Sequence, residues 1–158
     1  MQTDKTRVGN KGFTLLELLV VLTLLGILAL AAVPRFNAAA DYIELRKDAG
    51  EIARQLRLAR HRAIATMQAN QVRFYPDLQR YRVYQPVQKT YSLSSGVRFV
   101  YVSFPKDARG WIICQFSPLG VPTAGGTAAL ENRRGQRLYV VVNPVTGRVR
   151  ISPTPPAE

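Results

Sequence analysis

Glu17 is the residue whose chemistry is hardest to explain away. It is the only ionisable side chain in the apolar run Phe13–Val33. A carboxylate held in hydrocarbon is expensive and marks a place that meets a partner. The second set of chemistry-bearing residues is distal: Arg133, Arg134, Arg137, Arg148 and Arg150. Guanidiniums so gathered suit phosphate contacts, and Tyr139 between them offers a ring for stacking. Arg148 and Arg150, two apart, project from one face of a strand, and the loop bearing Arg133 and Arg134 is expected nearby. The other reading of these arginines is ordinary: they solvate sheet edges or touch other subunits.

Catalytic constellations are wanting. The region beyond Ala69 holds four acids and no histidine, with no Ser/His/acid set and no close carboxylate pair. Ser117-Pro118 and Ser94-Ser95-Gly96 read as turns rather than nucleophile elbows. His61, the one histidine, has no cysteine or acid at ligand spacing, so neither metal nor cofactor is expected. No phosphate-binding G-x-x-x-x-G-K-[ST] loop is present. The single cysteine, Cys114, excludes an internal disulfide and sits in the apolar stretch W-I-I-C-Q-F as a small buried hydrophobe.

The elements that must position these residues follow from periodicity. Phe13–Val33 counts 21 residues, about 31 Å as a helix and enough to cross a bilayer core. Lys5, Arg7 and Lys11 precede it, so the leader stays cytoplasmic and the globular part lies outside the inner membrane. Beyond Pro34, a residue expected to kink the helix, the apolar face resumes at Leu45, Ala49, Ile52, Leu56, Ala59, Ala63 and Met67, with gaps of three and four. One helix from about Thr14 to Ala69 is predicted. On its second half Arg46, Lys47, Arg54, Arg57 and His61 share a wedge opposite the apolar face, beside an acidic edge of Glu44, Asp48 and Glu51. That wedge is either a solvated surface or a face for neighbouring subunits.

From Gln71 the period becomes strand-like. Val72–Tyr75 and Arg80–Tyr84 flank Pro76-Asp77-Leu78-Gln79 as a hairpin, and further strands are predicted at Gly96–Val102, Trp111–Phe116, Thr127–Leu130, Leu138–Val142 and Arg148–Ile151. The segment from about Pro86 to Ala108 carries no motif. The fold class is α+β: a long kinked N-terminal helix on an antiparallel β-sheet domain. The divisions are a leader at 1–12, a membrane-crossing helix at 13–34 (the assembly helix of the resemblance given below), its amphipathic continuation at 35–69, a β-rich head at 70–152 and a proline-rich tail at 153–158.

Formal net charge is +12. Residues 35–69 hold seven cations against four acids, and residues 70–158 hold twelve against four. The excess therefore lies in the head, as anionic partners, acidic neighbouring subunits or plain solubility would each require.

The stretch K-G-F-T-L-L-E-L-L resembles the processing site of type IV prepilins and pseudopilins. The resemblance implies that a membrane-embedded prepilin peptidase cuts between Gly12 and Phe13 and methylates the new amine of Phe13. It also implies that Glu17 pairs with that amine on an adjacent subunit. Pro34 and Gly26 would let the helix bend as it leaves the bilayer. An ordinary secretory signal is the competing reading, with a small-residue site at Ala29–Ala32 after the run; a passive h-region gives no reason for Glu17.

The distal F-S-P-L-G, G-T-A-A-L and L-Y-V-V-V-N-P-V-T-G-R-V-R-I are similar to the GspH/FimT class of minor pseudopilins. That resemblance implies a noncatalytic subunit of a type II secretion pseudopilus or a type IV pilus. Its partners would be other pilins, the peptidase, an inner-membrane assembly platform and a cytoplasmic ATPase that moves the filament. Its alternative role is DNA capture in natural transformation.

Overall fold

The computed structural model describes residues 13–84 and 86–156, with backbone only for helix residues 29–37. Gly12 and the rest of the leader lie outside the described residues, as does the side chain of Pro34. The long helix α1 is Leu15–Thr66. The chain divides into two units, Met1–Asn37 and Ala38–Glu158.

In the first unit Thr14 caps α1. Its hydroxyl accepts from the Glu17 backbone N–H at 3.2 Å, satisfying a donor that the first turn leaves without an intrahelical acceptor. From Leu15 to Leu28 the large apolar side chains all face outward. The Thr23 hydroxyl is satisfied within the helix by the Val20 carbonyl at 2.8 Å. Among the described residues, no helix is long and apolar enough to cross a membrane; side chains from Leu15 to Leu28 account for about 21 Å at roughly 1.5 Å per residue.

In the second unit the expected helical face is the core. Leu45, Ala49, Ile52, Leu56, Ala59 and Ala63 are all fully buried. Each large apolar side chain so removed from water contributes about 1.5–3 kcal/mol. Met67 departs from the expectation. The helix stops at Thr66, Met67 takes the left-handed conformation at φ 52°, and its side chain is exposed.

Among the described residues the head contains eight strands: β1 Asn70–Tyr75, β2 Arg80–Val83, β3 Lys89–Ser92, β4 Val97–Val102, β5 Ile112–Phe116, β6 Gly126–Asn132, β7 Arg137–Val142 and β8 Val149–Ser152. A 3-10 turn, Pro76–Leu78, joins β1 to β2. The strands form two antiparallel four-stranded sheets, ordered β3-β2-β1-β5 and β4-β6-β7-β8. Strand β3 lies in the stretch that carried no motif. K-T-Y-S has one apolar-facing residue, Tyr91, stacked on Tyr81 at 5.2 Å, and as an edge strand it needs no more.

Both sheets and the helix feed one core. Phe74 of β1 stacks on Phe104 at 5.1 Å and meets Phe99 of β4 edge-on at 6.1 Å. Cys114 is fully buried there, and burial pushes its thiol up to about 12.

Candidate functional site

Two regions hold the residues singled out by sequence. The first is the start of α1. Phe13 is 81% exposed, and Glu17 lies in the first helical turn at the third position after the Thr14 cap. A threonine cap with a glutamate three residues on is the pattern of a reciprocal capping box. Only half of that box is formed: among the described residues, the Glu17 carboxylate has no hydrogen-bond or ion-pair partner. The positive end of the helix dipole favours a negative charge at this turn. Its neighbours Leu15, Leu16, Leu18, Leu19, Val20 and Val21 are exposed and apolar. The arrangement is one acid on an outward-facing apolar surface, with its acceptor atoms free.

The second region is the distal arginine set, and the structure divides it. Arg133 donates to the Ser95 hydroxyl at 3.0 Å and to the Ser95 carbonyl at 3.3 Å. Arg134 Nε lies 2.8 Å from Asp41 Oδ2. Arg137 Nε lies 2.6 Å from Glu131 Oε2, whose other oxygen takes Arg98 at 2.6 Å. All three arginines sit at the β6–β7 end of the second sheet.

Arg148 and Arg150 are exposed on either side of buried Val149, at and beside the start of β8. They share one face, and with Val141, Thr146 and Pro156 they border an open hollow of about 710 Å³. Strand β7 separates the two groups by its own length, roughly 17 Å at about 3.4 Å per residue. The loop bearing Arg133 and Arg134 therefore does not lie beside Arg148. Tyr139 is 7% exposed and packs against Tyr101, so its ring is not an open stacking surface. Sequence could not supply this division, because turns at the two ends of one strand look adjacent along the chain.

On the helix, the acidic edge is not simply solvated. Asp48 is buried and bonded to Ser94, while Glu51 takes Arg54 and Gln55. Arg57 donates to the Val149 carbonyl at 3.1 Å. Arg46, Lys47 and His61 are exposed.

Residues 7–33 match the prokaryotic N-terminal methylation motif. The fold supplies the deciding comparison: the minor pseudopilin EpsH of the type 2 secretion system of Vibrio cholerae superposes with a TM-score of 0.52. The chain has a pilin-like fold. That match has 16% identity and covers 69% of this chain and 96% of EpsH. The type IV minor pilin FimU of Pseudomonas aeruginosa strain PAO1 superposes with a TM-score of 0.54 at 14% identity, covering 71% of the pilin-like chain and 90% of FimU. No curated protein sequence matches it. The pilin-like chain thus joins a methylation motif at one end to a helix-and-sheet head at the other.

Proposed function

We propose that this chain is a noncatalytic minor subunit of a type IV pilus or type II secretion pseudopilus, of the GspH/FimT kind. A prepilin peptidase removes residues 1–12 and methylates Phe13. The apolar helix, residues 13–34, holds the subunit in the inner membrane with its head outside the cytoplasm until an assembly platform moves it into the filament. The observation that carries the reading is Glu17: a lone acid with no partner among the described residues, on an apolar surface four residues after Phe13 and inside the matched motif.

Cleavage after Gly12 creates an amine on Phe13 that the leader otherwise ties up in a peptide bond. Glu17 of one subunit and Phe13 of the next then neutralise each other away from water. A subunit seated one register off leaves a charge unpaired in hydrocarbon, so the pair selects register whatever it adds to net stability. In cells, Glu17→Ala and Gly12→Asp are expected to leave the protein in the membrane fraction and remove it from sheared or cross-linked filaments. Normal incorporation of either variant would overturn the proposal.

A second reading, capture of DNA for transformation, draws on Arg148 and Arg150, exposed together at the rim of the hollow. Its support is narrower than five clustered arginines, since Arg133, Arg134 and Arg137 have protein acceptors. Salt-sensitive binding of duplex DNA to the full chain, lost in Arg148→Ala/Arg150→Ala, is the outcome that favours it.

A further inference from the structure

The outward face of the first sheet carries a cluster with no part in the proposed Phe13–Glu17 contact. Strand β1 alternates, so Val72 and Phe74 enter the core while Arg73 and Tyr75 face away. The antiparallel register sets Arg82 opposite Arg73 and Arg80 opposite Tyr75. The Arg73 guanidinium lies 4.9 Å from the Tyr84 ring centre and 5.0 Å from that of Trp111. Arg80 and Arg82 each lie 5.6 Å from the Tyr75 ring. Trp111 meets Tyr75 edge-on at 5.5 Å, and the Tyr75 and Tyr84 hydroxyls are 3.5 Å apart.

Three guanidiniums are thus interleaved with three rings. Among the described residues the one carboxylate paired with them is Asp107, 4.0 Å from Arg73. Like charges facing each other across strands repel, and cation–π contacts hold the guanidiniums against the rings. The Nε atoms of Arg73 and Arg80 are buried with no hydrogen-bond partner among the described residues, while Arg82 Nε donates to the Thr90 hydroxyl at 3.0 Å.

We propose that this face docks an acidic segment of a protein partner, whose carboxylates pair with the guanidiniums of Arg80 and Arg82. Charge complementarity is the first argument, since the face has three cations and one acid. The second is residue type: arginine, tyrosine and tryptophan are the side chains that anchor protein interfaces. A single-stranded nucleic acid fits less well. Platforms for bases present open aromatic faces, and here guanidiniums already cover them. The docking face does not depend on filament assembly or on cleavage after Gly12.

Trp111 is the chain's only tryptophan and lies inside the cluster, so its fluorescence reports occupancy. Full-length protein in neutral detergent is titrated at low salt with a deca-glutamate peptide and, separately, with a dT20 oligonucleotide. The peptide is expected to change Trp111 emission saturably, and Arg80→Glu/Arg82→Glu is expected to weaken binding by roughly tenfold or more. Arg46→Glu/Lys47→Glu makes the same change of net charge on α1 and is expected to leave affinity within about twofold. Should the first double variant lose its native circular dichroism, Arg82→Gln replaces it, with a loss of roughly threefold expected. No response to the peptide, equal weakening by the two double variants, or a response to dT20 alone would each overturn the proposal.

Discussion

Asp48 accepts two hydrogen bonds from Ser94, one from the backbone N–H at 2.7 Å and one from the hydroxyl at 3.0 Å. This contact ties α1 to the loop before β4. Burial outweighs those bonds and holds the Asp48 carboxyl above its ordinary 3.8. The folded chain therefore keeps this proton better than the unfolded one. Ionisation subtracts stability as pH rises from 3.8 through the raised folded value. Asp48→Asn keeps both contacts, with the amide oxygen accepting and the amide nitrogen donating. It is expected to be neutral or stabilising at pH 7. Asp48→Ala strands the Ser94 N–H and is expected to lose about 1–3 kcal/mol. Thermal unfolding followed by circular dichroism separates the two.

Glu131 titrates in the opposite sense. Hydrogen bonds from Arg98 and then Arg137 hold its carboxyl below the ordinary 4.5. Its contribution is present above 4.5 and is lost as pH falls through the depressed folded value. Glu131→Gln is expected to lower stability at neutral pH and to flatten the acid limb of a stability–pH curve below 4.5. Asp48→Asn should leave that lowest limb intact.

Gly126 is a packing constraint at the first residue of β6. A Cβ there would run into the ring of Phe104, which is itself stacked on Phe74 in the core. Gly126→Ala is expected to destabilise by about 1–3 kcal/mol, the range for overpacking a closed core. Phe104→Leu in the same background should restore part of that loss, measured by urea denaturation.

What was legible in the sequence was whatever local pattern determines. Leu45 through Ala63 were readable because helical spacing alone puts them on one face, and β1 with β2 because Pro76 and Asp77 mark the turn between them. Met67 was misplaced because helical spacing continues past the residue where the backbone turns left-handed. Strand β3 was missed because its pairing with β2 supplies the order that K-T-Y-S lacks on its own. The split into two sheets was hidden for a related reason, since strand order depends on contacts between residues far apart in the chain. The same cause separated the arginine set: Arg134 finds Asp41 across most of the sequence, and no spacing rule announces that. Arg73, Arg80, Arg82 and Trp111 converge only once β1 is paired with β2 and β5.

The proposed assembly needs a free amine at Phe13 to meet Glu17 of the adjacent subunit, so the mature terminus is its sharpest test. Mass spectrometry of the protein recovered from its native membrane is predicted to find a chain beginning at Phe13 and carrying one added methyl group. A chain that retains Met1, or one that begins after Ala29, would contradict it.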